Sequence, residues 1–119
     1  MAKVRYDHVH LNSPDPLQTA EFYEKVLGAT RDGVRDLPDG RIMVSLTLTG
    51  TRILISRPIA DKPYDSLEHF GILTDNMEET VGQLKAYGIK FRNETQVQNG
   101  IKYAHFWAPD NVLVELIQK

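Results

Sequence analysis

Apolar and polar residues along this chain of 119 residues fall into two spacings, in an order that occurs twice. Val4 to Asn12 alternates, so that on a strand His8 and His10 share one face while Val9 and Leu11 share the other. Helical spacing follows. Asp15 is placed to cap a helix, Pro16 suits its first position, and Gly28 suits its end. Between them Ala20, Phe22, Tyr23, Val26 and Leu27 fall broadly on one side. Ala29 to Leu37 reads as a polar strand broken by Gly33, and Asp39-Gly40 as a hairpin turn. Arg41 to Thr49 alternates cleanly, with Ile42, Val44, Leu46 and Leu48 against Met43, Ser45 and Thr47. Gly50-Thr51 then turns into a fourth strand, Arg52 to Arg57.

The order then recurs. Leu67 to Thr74 predicts a strand. Asp75 is expected to cap a helix that buries Met77, Val81, Leu84 and Tyr87 and stops at Gly88. Ile89 to Val97, the Asn99-Gly100 turn, Ile101 to Trp107, a turn at Pro109-Asp110-Asn111 and the strand Val112 to Gln118 complete it. Gly28 and Gly88 lie 60 residues apart and His8 and His69 lie 61 apart, which suggests one extra residue around Pro14. A βαβββ unit is therefore expected twice. The predicted fold is α+β, two βαβββ modules in pseudo-twofold repeat within a single domain, 1–119. Module one is 1–57, the linker 58–66 and module two 67–119.

Composition narrows the chemistry. A formal net charge of -2 with scattered basic residues gives no electrostatic footprint for nucleic acid or an anionic membrane. With no cysteine there is no disulfide, thiolate nucleophile or zinc–thiolate site. No stretch approaches the ~20 apolar residues of a membrane span, and Met-Ala-Lys-Val lacks a signal peptide's apolar run, so a cytoplasmic protein is expected. No glycine pattern suits a nucleotide, and no nucleophile elbow supports a serine triad.

Four segments carry a resemblance: His8-Val-x-Leu-x-x-Pro-Asp15, Phe22-Tyr-x-x-Val-Leu-Gly28, His69-Phe-x-Ile-x-x-Asp75, and Phe106-Trp-Ala-Pro-Asp-Asn-Val-Leu-Val-Glu115-Leu. Together they resemble the vicinal-oxygen-chelate superfamily: glyoxalase I, bleomycin-resistance proteins, fosfomycin-modifying enzymes and extradiol dioxygenases. The resemblance implies that each module curls a mixed sheet into a half-barrel, as in the glyoxalase/bleomycin resistance/dihydroxybiphenyl dioxygenase fold. It also implies metal ligands on the first and fourth strand of each module, here His8, His69 and Glu115. The fourth position falls at Leu54, or at Ile55 with the gap placed one residue differently. No Asp, Glu, His or Gln lies between Arg41 and Ala60, which weakens the four-ligand pattern of glyoxalase I. Two histidines and one carboxylate suit a divalent ion (Fe, Mn, Ni or Zn) with open positions.

Each candidate also has a bland reading. A lone strand histidine is usually a satisfied core residue, and for Glu115, inside the apolar Val112–Ile117, the bland reading is a salt bridge to a nearby arginine. His10, on the face of His8, is expected to border the same cavity, as a proton carrier or as the missing fourth donor. The resemblance implies that His105, with Tyr103 on its face, lines the pocket beside the metal as a polar substrate contact or proton carrier. Phe22, Tyr23 and Tyr87 read as helix packing, Phe106 and Trp107 as core or rim, and Arg41, Arg52 and Lys102 as solvated charges. The expected function is a metal-dependent enzyme that chelates two adjacent oxygens of a small substrate, of dioxygenase, lyase, isomerase or transferase type. The alternative is a metal-free small-molecule binder of the bleomycin-resistance kind. A homodimer is expected, because short two-module chains of this kind often pair across subunits.

Overall fold

The computed structural model describes residues 2–60, 64–108 and 112–119. The expected turn at Pro109-Asp110-Asn111 and the middle of the expected linker lie outside the described residues. The elements run β1 (Val4–Asn12), α1 (Pro16–Leu27), β2 (Thr30–Asp36), β3 (Ile42–Leu48), β4 (Thr51–Ser56), β5 (Leu67–Thr74), α2 (Met77–Ala86), β6 (Phe91–Gln98), β7 (Ile101–Ala108) and β8 (Val112–Gln118). This is the expected βαβββ order, twice. By compactness the chain forms two units, residues 8–68 and residues 1–7 with 69–119.

In the first unit the strands lie in the order β2-β3-β4-β1, with β1 parallel to β4 and the other pairs antiparallel. Two parallel strands need a long crossover, and α1 with the β2–β3 hairpin supplies it. The alternation in β1, β3 and β4 decides which face is covered. Val9, Leu11, Val44, Leu46, Ile53 and Ile55 pack with Ala20 and Tyr23 of α1. His8, His10, Leu54 and Ser56 therefore fall on the opposite face.

The second unit repeats the plan in the order β5-β8-β7-β6, with β5 parallel to β8. Its core joins Met77, Val81 and Leu84 of α2 to Ile72, Phe91, Ala104, Phe106 and Leu116. His69, Tyr103, His105 and Glu115 thereby face away from α2. Residues 1–7 belong to this unit: the Lys3 N–H donates to Asp75 Oδ1 at 3.0 Å, and the Asp75 N–H returns a bond to the Lys3 carbonyl at 3.2 Å.

The helix starts correct one expectation. Asp15 caps α1, its Oδ1 accepting from the Gln18 N–H at 3.2 Å. The matching cap of α2 is Asn76, which accepts from the Glu79 N–H at 3.1 Å, because the Asp75 carboxylate is turned to Lys3. A hydroxyl pair repeats beside each cap, Ser13 to Thr19 at 2.7 Å and Thr74 to Thr80 at 2.6 Å. Ser13, Asp15 and Thr19 thus match Thr74, Asn76 and Thr80 at the offset of His8 and His69. The offset drops by one only at Gly28 and Gly88, so the extra residue lies within the first helix and not around Pro14. Both glycines hold positive φ, 78° and 83°, which a side chain would strain.

Three side chains depart from their expected packing. Tyr87 caps the end of α2 and is 82% exposed, and Phe22 is 54% exposed on the outer side of α1. Arg41 is not simply solvated: its Nε pairs with Asp39 at 2.7 Å and its Nη1 donates to Ser56 Oγ at 3.3 Å.

Candidate functional site

Strand register gathers a polar row in the second unit. On β8, Glu115 is the partner of Gly71 on one side and of His105 on the other. His69 stands two residues before Gly71 on the same face of β5, and His105 in turn pairs with Asn93 on β6. Period-two alternation and three strand pairings therefore put two imidazoles, a carboxylate and an amide on one face.

Glu115 divides its two oxygens. Oε1 lies 3.6 Å from His69 Nε2, and Oε2 lies 3.2 Å from His105 Nε2. Its side chain is 21% exposed, and those of His69 and His105 are 8% and 11% exposed. Burial works to raise the Glu115 carboxyl. The hydrogen bond from His105, then the contact with His69 and the attraction of both rings, outweigh it and hold the group well below the ordinary carboxylate range. The arginine partner considered for Glu115 is replaced by this histidine pair. The His105 ring is set edge-on against His69 at 6.0 Å and against Tyr103 at 6.2 Å between centroids.

The donor set suits a divalent cation. A metal with bonds of about 2.1 Å holds neighbouring donors about 3.0–3.4 Å apart, close to the separation of His69 Nε2 and Glu115 Oε1. Oε2 would remain on His105, the outer hydrogen bond that ligating carboxylates commonly keep. His8 is also buried and offers a ring nitrogen of the kind such ions take.

His8 and His10 both lie on the face of β1 turned from α1. The Nε2 of His10 contacts Ser56 Oγ at 2.7 Å, and the same oxygen accepts from Arg41, so one end of the His10 ring is engaged within the sheet. Ser56 and Arg41 were invisible as His10's partners in the sequence, because only the β1/β4 and β3/β4 pairings bring the three together. Asn93 was likewise missed. Its only signal was its place 60 residues after Gly33, the strand-breaking glycine of module one.

Register also shows which residue of β4 matches Glu115. The β8 partner of Gly71, two residues past His69, is Glu115; the β4 partner of His10, two past His8, is Leu54. Ile55, the other option, is in the core against α1. Leu54 is therefore the counterpart of Glu115, and Ser45 and Gly33 are the counterparts of His105 and Asn93. Of the row His69, Glu115, His105 and Asn93, the first module repeats the histidine of its first strand, His8, and has Leu54, Ser45 and Gly33 at the other three places.

Comparison with known proteins agrees with this architecture. No curated protein sequence matches the chain. Among solved structures, a hypothetical protein of Bacillus halodurans aligns over 98% of this chain and 95% of its own, with 21% identity and a TM-score of 0.81. Methylmalonyl-CoA epimerase of Mycobacterium tuberculosis aligns over 95% of this chain and 86% of its own, with 18% identity and a TM-score of 0.76. A Streptomyces coelicolor methylmalonyl-CoA epimerase variant in complex with 2-nitronate-propionyl-CoA aligns over 97% and 96%, with 17% identity and a TM-score of 0.73. At these identities the likeness concerns the fold. The profile of the glyoxalase/bleomycin resistance protein/dioxygenase superfamily matches residues 5–116, nearly the whole chain. The chain belongs to that superfamily.

Proposed function

We propose that this protein is a metal-dependent enzyme in which His8, His69 and Glu115 hold a divalent ion that receives two adjacent oxygens of a small substrate. The observation that carries the reading is the divided carboxylate of Glu115, with one oxygen at His69 and the other on His105. A carboxylate placed this way can give one oxygen to a cation while a ring N–H fixes the other. The ion, when bound, supplies Lewis acidity to the chelated oxygens and so acidifies a neighbouring C–H or O–H.

The remaining steps belong to the chain. His105, held by Glu115, Asn93 and the Tyr103 ring, carries a proton or holds the substrate beside the ligand carboxylate. Tyr103, His69 and the buried strands exclude water around it. His10, engaged by Ser56, positions substrate in preference to carrying protons. Such a site suits isomerase or lyase chemistry more directly than ring cleavage by dioxygen, since a proton carrier stands beside the ligand carboxylate. The epimerases that share the fold act by name on a CoA thioester, which makes a 2-substituted acyl thioester the first substrate to test.

The working unit in this reading is a homodimer, and the exposed Phe22 and Val26 of α1 and Val97 of β6 supply apolar surface for it. The test is to load the protein with Mn(II), Ni(II) or Zn(II) and incubate it in D2O with methylmalonyl-CoA. Metal-dependent exchange of the C2 hydrogen supports the proton-transfer reading. Oxygen uptake with a catechol instead would place the chain with the dioxygenases. Protein that takes no metal and binds an aromatic ligand would support the binding alternative.

A further inference from the structure

Basic residues are scattered along the sequence, yet the second unit gathers three of them at one end of its sheet. Lys3, Arg5 and Lys119 line a cavity of about 530 Å³ together with Asp75 and the apolar Val4 and Leu73. That size suits a small molecule, whose sites run roughly 300–1,000 Å³. Leu73 stands four residues past His69 on β5, and Lys119 stands four past Glu115, just beyond β8. At about 3.3 Å per residue, the cavity lies about 13 Å along these parallel strands from the candidate metal ligands. It is a separate place.

The cations are held by specific contacts. A chain start ordinarily frays, but here the Lys3 N–H donates to Asp75 Oδ1 at 3.0 Å and the Lys3 carbonyl accepts from the Asp75 N–H at 3.2 Å. The Asp75 carboxylate is thereby spent on the backbone of Lys3. Lys119 Nζ lies 3.7 Å from Oδ1 of Asp7, whose side chain is only 7% exposed. The Lys3 ammonium and the Arg5 guanidinium have no ion pair among the described residues, and they stand two positions apart where β1 begins. At the offset of 61 that relates His8 to His69, the places of Lys3, Arg5, Asp75 and Lys119 are taken by Tyr64, Ser66, Pro14 and Pro58. None of these is charged, so the cation group has no counterpart in the first module.

We propose that Lys3 and Arg5, with Lys119 beside them, form a binding site for the phosphate group of an organic phosphate. Arginine offers a planar fork that meets two phosphate oxygens, and lysine adds a point charge. Val4 and Leu73 supply apolar surface for the organic part. Asp75 opposes an anion, but the two unpaired cations outnumber it. The site stands whether or not the protein binds metal, and so goes beyond the functional reading above. Where that reading also holds, the phosphates at the far end of a CoA thioester are one source of the group, because a pantetheine arm can span the distance to His69 and Glu115. A separate phosphate-bearing ligand is the other source.

The test is calorimetric titration of metal-free protein with adenosine 3′,5′-bisphosphate at low salt. Binding should saturate, and Lys3→Gln with Arg5→Gln in one chain should weaken it about 10-fold or more. Added salt should weaken it too. Asp75→Asn, which keeps an acceptor for the Lys3 N–H and removes the opposing charge, should tighten it. No saturable binding to the wild type, or unchanged affinity in the folded double variant, overturns the proposal. If the double variant does not fold, Asp75→Asn decides, and binding no tighter than the wild type overturns it. The source of the phosphate is read in metal-loaded protein from KM for C2 exchange in methylmalonyl-CoA and in methylmalonyl-pantetheine, which has no phosphate. A double variant that moves KM of the CoA ester toward that of the pantetheine ester assigns the phosphate to the substrate, and an unchanged ratio assigns it to a separate ligand. Absence of exchange with both esters contradicts the functional reading and leaves the bisphosphate titration to decide this proposal alone.

Discussion

Nε2 of His105 lies 3.2 Å from Oε2 of Glu115, and this contact ties the ionisation of the half-buried Glu115 to the stability of the second module. Because the folded carboxyl titrates below its ordinary range, the unfolded chain binds a proton at Glu115 at a higher pH than the folded chain does. The stabilisation is complete above the ordinary glutamate pKa of about 4.3 and shrinks as pH falls below it. In metal-free protein, Glu115→Gln should cost about 1–3 kcal/mol at neutral pH, and the gap should narrow steadily in acid. Urea unfolding at a series of pH values measures this. A gap that stays constant through the acid range would detach Glu115's ionisation from stability.

Leu54 occupies in the first module the register position of Glu115 in the second, on the face of His10 and Ser56. Leu54→Glu is expected to tighten metal binding by supplying a fourth donor. Ile55→Glu should instead destabilise the protein by several kcal/mol, since it buries a carboxylate among Val44, Leu46 and Ala20. Chelator competition and denaturation midpoints distinguish the two. The reverse outcome would mean that the strand faces are misassigned.

At the helix starts, Asn76→Ala should cost about 1 kcal/mol through loss of the α2 cap, and Asn76→Asp should cost less. Asp75→Ala should spare that cap and loosen the chain start at Lys3. Thermal unfolding gives the cost, and hydrogen exchange at Glu79 and Lys3 separates the two effects. Exchange at Glu79 that quickens in Asp75→Ala but not in Asn76→Ala would return the cap to Asp75.

Much of this architecture was legible in the chain because both periods are clean where one face is buried. β5 and β8 begin and end where the alternation does. The α2 start was misread by one residue, because Asp75 and Asn76 are both good caps and only the contact with Lys3 decides between them. Tyr87 fits the helical stripe by spacing, but it falls at the helix end, past the last turn that meets the sheet. Within the candidate site, the repeat of His8 marked His69, and the family resemblance marked His105 and Glu115. The Asn93 contact could not, since it depends on two bulges that shift the register of a mostly polar strand. The link from His10 through Ser56 to Arg41 joins residues far apart in sequence, and no local pattern announces it.

The proposed assembly has its own check. Sedimentation at micromolar concentration should give a dimer of the 13.5 kDa chain, and Phe22→Glu or Val26→Glu on the exposed side of α1 should weaken it if that surface is used. A monomer at that concentration contradicts the dimer.

The central claim is that His8, His69 and Glu115 bind one metal ion together, and elemental analysis of tag-free protein tests it most directly. The wild type and Lys90→Ala, a change at an exposed position, should each carry close to one equivalent of divalent metal per chain. His8→Ala, His69→Ala and Glu115→Ala should each lose most of it while keeping their folded spectra. Metal-free wild type after exposure to Fe(II), Mn(II), Ni(II) and Zn(II), or full occupancy in any one of the three alanine variants, would contradict the account.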